Sequence, residues 1–204
     1  MSDLNERDTK LVQYLVEAHG KEKELETSLQ AHIELTSKMP YKKRLRAHLT
    51  ETRDHAKRLE RRIKQLGGGD EIGGVTAAAQ SVVGKTAALA KGPIHALRGT
   101  SEPETMLKNA KTEYFNEAEE IATYTAIEAL AEKVGDSETA KLVRSIKRDE
   151  ERMAKYLEGQ IATLAKAVAA DEVPAKQRRT GTARARRPAS SRSTSSKKRV
   201  ATRA

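Results

Sequence analysis

Leu11-Val12-Gln13-Tyr14-Leu15-Val16-Glu17-Ala18-His19-Gly20-Lys21-Glu22-Lys23-Glu24-Leu25, running on to Leu29, is the stretch that decides the fold. Leu11, Leu15, Ala18, Leu25 and Leu29 recur at helical spacing and form one apolar stripe. Glu22 falls in line with them. A carboxylate buried alone is costly, so it neutralises, pairs with a cation or binds a metal. Three more segments repeat the pattern. Glu51 and His55 lie beside Leu45, Leu49, Thr52, Ala56 and Leu59. Glu117 and Glu120 sit one turn apart, just before Tyr124. Asp149 and Glu150 interrupt the run Leu142, Ile146, Met153, Leu157. Acids converging from four helices are how carboxylate-bridged dimetal sites are built inside bundles.

Punctuation between these segments sets their limits. The first helix runs from about Asp3 to Ser37 and breaks at Met39-Pro40, since proline suits a first turn and cannot continue the helical ladder. The second runs to about Leu66 and stops at Gly67-Gly68-Gly69. Ser101 with Glu104 forms a capping box for the third, with Pro103 in its first turn; this helix ends at Gly135. Asp136 or Ser137 caps the fourth, which continues to about Ala170. No stretch alternates as a strand would. The expected fold is all-α: a ferritin-like four-helix bundle over residues 1–172, with a long helical crossover at about 67–100.

The net charge of +10 is unevenly spread. Residues 1–172 carry 28 Lys and Arg against 29 acids, close to neutral, while residues 173–204 carry eleven bases and no acid. Those bases are Lys176, Arg178, Arg179, Arg184, Arg186, Arg187, Arg192, Lys197, Lys198, Arg199 and Arg203. The tail lacks the apolar surface to offset the entropy of ordering and is expected to be disordered. Segregated charge of this kind suits non-specific binding of nucleic acid phosphates, and the absence of aromatics among the bases argues against base stacking. A merely solubilising tail is the alternative. With no cysteine, disulfides, thiolate metal sites and thiol nucleophiles are excluded. There is no apolar signal peptide or membrane span, so the expected location is the cytoplasm, with the nucleoid as a possible address through the tail.

Each candidate has a plainer reading. Glu22 can pair with a Lys or Arg of a neighbouring helix. Glu51 and His55 are four apart on one face and suit iron, manganese or zinc, but Arg53, Lys57 and Arg58 share that helix, and His48 is an alternative ligand. Within Glu117-Ala118-Glu119-Glu120, some acids must face solvent. Either Asp149 or Glu150 points inward, and Glu151 points out. Val83-Gly84-Lys85-Thr86 mimics the end of a phosphate-binding loop, but Ala79 stands where its first glycine belongs and no strand precedes it.

With these residues in place, the chain resembles the YciE/YciF-like ferritin-like family of bacterial stress-associated metal-binding proteins over roughly residues 8 to 165. The likeness lies in Leu15 to Leu25, in Ala47-His48-Leu49-Thr50-Glu51-Thr52, in Glu117-x-x-Glu120-Ile121-Ala122-x-Tyr124, and in Asp149-Glu150-Glu151. The resemblance implies a metal site with Glu22, Glu51, Glu117, Glu120 and Glu150 as ligands, and the spacing of Glu51 and His55 adds His55 as an assisting one. Iron or manganese is the expected metal, dinuclear or single. It also implies bacterial stress as the setting and a homodimer as the assembly. Two departures stand out: Ala118 and Ala154 occupy positions where the family often has His and Asp or His. His55 stands where it often has Gln. Three functions compete: a metal-binding stress protein that oxidises Fe(II), a non-enzymatic DNA-associated bundle with a degenerate site, and a structural bundle with no metal.

Overall fold

The computed structural model describes residues 5–69 and 101–178. They form four long helices: α1 (Glu6–Leu35), α2 (Met39–Gln65), α3 (Glu102–Lys133) and α4 (Ser137–Glu172), followed by a 3-10 turn at Ala175–Gln177. No strand occurs among the described residues. The crossover call, at about 67–100, and most of the tail, from Arg179 on, lie outside the described residues.

Local chemistry explains each helix end. Asn5 caps α1 by accepting from the Asp8 amide. Pro40 lies in the first turn of α2. The Ser101 side chain accepts from the Glu104 amide to open α3. Gly135 takes φ 77° between α3 and α4, a left-handed conformation that only glycine adopts freely. Asp136 then caps α4 by accepting from the Thr139 amide. At the end of α2, a Cβ on Gly68 would lie 2.5 Å from Val12 Cγ1, so any larger residue there would displace Val12 from its packing.

The buried positions of all four helices step by four and three residues in alternation. On α1 they include Leu11, Leu15, Ala18, Glu22, Leu25 and Leu29; on α2, Tyr41, Leu45, His48, Thr52, His55 and Leu59. On α3 they are Met106, Ala110, Glu113, Glu117, Glu120, Tyr124, Ile127 and Ala131; on α4, Thr139, Val143, Ile146, Glu150, Met153 and Leu157. This 3-4 spacing keeps one seam of each helix facing the bundle axis. Burying each large aliphatic side chain there contributes about 1.5–3 kcal/mol. An apolar cluster with Leu15, Leu59, Ile127 and Ile146 fills one half, and one with Leu29, Leu45, Met106 and Leu157 fills the other. The polar seam positions lie between and beside them.

Side-chain pairs give the directions. Glu22 meets Tyr124 while His32 meets Glu113, and His55 meets Asp149 while Arg62 meets Thr139, so α1 runs antiparallel to α3, and α2 to α4. α2 and α3 are therefore parallel. The end of α2 is pinned near the start of α4 by Arg62 and Asp136, whereas the start of α3 is near Ser37, which bonds Met106 Sδ. The α2-to-α3 connection thus joins opposite ends of the bundle. A helix of α2's 27 residues is about 40 Å long, so the two ends that this connection joins lie roughly that far apart.

Candidate metal centre

At mid-height the seams of all four helices turn polar together. Glu22 comes from α1, His48 and His55 from α2, Glu117 and Glu120 from α3, and Glu150 from α4; none is more than 2% exposed. Glu150 is the hub. Its Oε1 lies 2.8 Å from His55 Nδ1, and its Oε2 lies 3.8 Å from His48 Nε2. His55 Nδ1 is also 3.5 Å from Glu22 Oε1. His48 Nε2 contacts Glu117 Oε1 at 2.8 Å. Two donor sets result, Glu22–His55–Glu150 and His48–Glu117–Glu150, and they share Glu150.

Each imidazole is held from outside by an acid. Glu51 Oε2 lies 3.2 Å from His48 Nδ1, and Asp149 Oδ2 lies 3.2 Å from His55 Nε2. With one ring nitrogen so engaged, the other points into the layer, the arrangement that orients metal-ligating histidines. Arg44 and Arg152 in turn pair with Glu51 and Asp149. Tyr124, 1% exposed, donates its hydroxyl hydrogen to Glu22 Oε1.

The interior acids are poorly satisfied. Glu22 Oε2, Glu117 Oε2, Glu120 Oε1 and both oxygens of Glu150 have no hydrogen-bond partner. The 2.8 Å approach of His55 Nδ1 to Glu150 is misaligned for a hydrogen bond, and that nitrogen is also unpartnered. Burial pushes the carboxyls of Glu22 and Glu120 upward, reinforced by the neighbouring acids. Burial likewise raises Glu117, to about 8, against the opposing pull of His48. For the two histidines, burial alone would lower the pKa. Hydrogen bonds and charges from Glu117 and Glu51 at His48, and the close carboxylates of Glu150 and Glu22 at His55, outweigh it and raise both to about 10. Carboxylate and imidazole donors in this mixture, with open lone pairs facing one another, fit iron, manganese or zinc.

Of the residues singled out in the sequence, Glu22, His55, Glu117, Glu120 and Glu150 come together. Glu51 stands at the rim, about a third exposed, and its oxygens serve Arg44 and His48. His48, raised only as an alternative ligand, faces inward. The Asp149/Glu150 ambiguity resolves with Glu150 inside and Asp149 outside, holding His55. Ala118 is exposed, so a histidine there would not reach the layer; both imidazoles come from α2. Lys176 and Arg178 are exposed; the remaining nine tail bases lie outside the described residues. Glu113, fully buried one turn before Glu117, was not anticipated, although its place in the 3-4 repeat of α3 was a readable signal.

A four-helix bundle of this connectivity, with an interior layer of histidines and acids able to hold a metal ion, is the class of protein that the fold and site define. The chain belongs to the family described as Domain of unknown function (DUF892), which matches residues 6–170. Three solved structures share its fold. One is a protein from Xanthomonas campestris pv. campestris, 23% identical, covering 82% of this chain and 99% of that one, at TM-score 0.63. Another is the E. coli stress protein YciF, 17% identical, covering 81% and 99%, at TM-score 0.59. The third is YcfI from Rhodopseudomonas palustris, 20% identical, covering 77% and 96%, at TM-score 0.57. No curated protein matches the chain at a significant level. None of the described helices is long and apolar enough to cross a membrane.

Proposed function

We propose that this chain is a metal-binding stress protein whose central layer holds iron or manganese in a carboxylate–histidine site. The observation that carries this reading is the unmet bonding of Glu150. A fully buried carboxylate with neither oxygen hydrogen-bonded, between two inward-facing imidazoles, offers open lone pairs that suit a metal ion. Glu22, Glu117, Glu120 and Glu150 bring four negative charges, which two divalent ions would neutralise with both histidines neutral. Glu22 and His55 would hold one ion, His48 and Glu117 the other, with Glu150 shared and Glu120 beside them. Iron held there supplies one-electron chemistry with oxygen or peroxide. The chain's own part is positional. Glu51 and Asp149 fix the ring orientations, Tyr124 fixes Glu22, and the apolar clusters above and below exclude water. The stress setting rests on the family resemblance and on YciF being a stress protein.

The test is elemental analysis after anaerobic Fe(II) reconstitution, comparing wild type with Glu22→Ala/Glu120→Ala. Metal in the wild type and its loss in the double variant are expected. Equal, near-zero metal in both overturns the reading.

The charge segregation supports a second activity, non-specific nucleic-acid binding by residues 173–204, which would keep a metal-handling body near the polymer that radicals damage. With about five to eight of the eleven bases on phosphates, log K against log salt should slope at about −5 to −7 on duplex DNA. A chain ending at Glu172 should lose this binding. Equal binding by the truncated chain removes the tail from the account.

A further inference from the structure

One turn along α3 from Glu117, a second polar group lies within the apolar half of the bundle that contains Leu29, Leu45 and Met106. Glu113 of α3 is fully buried. One of its oxygens, Oε1, meets His32 Nδ1 of α1, and the other has no partner. The hydroxyl of Tyr41, on the first turn of α2 and 1% exposed, also has no partner. Tyr41 packs in one cluster with Met106 and Ala110 of α3, the latter one turn before Glu113, and burial and then the charge of Glu113 push its phenol upward. Asn109, one turn before Glu113 on the same face and 9% exposed, leaves its amide nitrogen unpartnered.

A plain ion pair between Glu113 and His32 would account for one oxygen and one nitrogen. It would leave a carboxylate oxygen, a phenol and an amide of three residues on two helices unsatisfied in one apolar region. Native interiors rarely leave such groups orphaned without an ion, water or function behind them. We propose that Glu113 and His32 anchor a further divalent transition-metal site, separate from the central layer, with Tyr41 and Asn109 completing it through oxygen. Asn109 can present either end of its amide, since exchanging oxygen and nitrogen leaves its shape unchanged. A carboxylate, an imidazole and neutral oxygens, with no thiolate, select the same borderline metals as the central layer. His32 keeps 15% of its side chain exposed, which leaves this site a way to solvent that the fully enclosed Glu150 lacks. Its binding does not depend on the central reading.

Co(II), stable in air, is the probe. Full-length protein is titrated with Co(II), and bound metal is counted after desalting in wild type, Glu113→Gln, His32→Gln and Glu150→Ala. Glu113→Gln and His32→Gln should each lose one equivalent relative to wild type. Glu150→Ala should lose the central metal and retain that one equivalent. Tyr41→Phe should weaken the retained equivalent severalfold without abolishing it. Glu113→Gln keeps the shape of the side chain, and its helical signal is recorded alongside to confirm folding. Wild-type stoichiometry in Glu113→Gln, or no metal at all in Glu150→Ala, overturns the proposal. If Glu150→Ala matches wild type while Glu113→Gln loses an equivalent, the outer site stands and the central reading fails.

Discussion

Asp136 and Glu150 are both buried acids on or beside α4, and the chain treats them in opposite ways. Asp136, 4% exposed, accepts from both sides: Arg62 reaches its oxygens at 2.8 and 2.9 Å, the Thr139 amide at 3.0 Å and the Thr139 hydroxyl at 2.5 Å. Burial would raise its pKa, but those partners lower it. Glu150, fully buried, has no hydrogen bond on either oxygen. The desolvation problem is the same in kind. At Asp136 the fold answers it from within, and the result is a lock between the end of α2 and the start of α4. At Glu150 the fold supplies only the nearby imidazoles of His55 and His48, and the carboxylate's lone pairs stay open to a cation. A satisfied buried acid marks architecture, and an unsatisfied one marks a site.

The comparison can be broken most directly at its structural end. Asp136→Ala removes a helix cap and strands Arg62, so it should cost about 2–4 kcal/mol. For a chain of this size that lowers the melting temperature by about 5–10 °C. Metal bound per folded chain should not change. A melt within a degree of wild type would show that the Arg62–Asp136 lock contributes little.

Protonation separates the two acids next. His48 and His55, at about 10 in the folded chain against 6.5 unfolded, stabilise fully below pH 6.5, and this contribution is lost as pH rises towards 10. Glu117, at about 8 against 4.5, keeps its proton in the folded state after the unfolded chain has released it, so stability again falls as pH rises through that window. Metal-free protein should therefore become less stable between pH 4.5 and 10. Metal displaces those protons, so metal-loaded protein should gain relative to apo as pH rises across the same range. Asp136 has the opposite sign: its contribution is present above pH 3.8 and lost as pH falls through its lowered value. Melts of apo and loaded protein across pH check this, and parallel profiles would sink it.

The smallest effect sharpens the other end. Glu22→Leu in metal-free protein should leave the bundle helical and change stability by only about 1–2 kcal/mol, in the stabilising direction, because it replaces a costly buried carboxyl with an apolar side chain. Loss of helical signal at room temperature would make Glu22 a structural partner of Tyr124 and His55.

The helices and their ends were legible because their causes are local. Ser101 and Glu104, Pro40, Gly135 and Asp136 act within a turn of where they stand, so reading the residues in order is enough. Glu22 was legible because it stands alone in an apolar stripe. Glu150 was half legible: Asp149 precedes it, and the two differ by about 100° around the helix, less than an amphipathic pattern resolves. His48 and Glu51 are one turn apart on α2, and which of them faces inward depends on how α2 is rotated against α3 and α4. Glu113 stayed hidden because acids replace apolar residues along α3 and blur the stripe that identifies its inner face. The sequence by itself determined four amphipathic helices, their caps, a long link between α2 and α3, and an interior that must hold acids. Only the packing of the four helices against one another decided which acids and imidazoles meet at Glu150, because that depends on the rotation of each helix about its own axis, which no local residue controls.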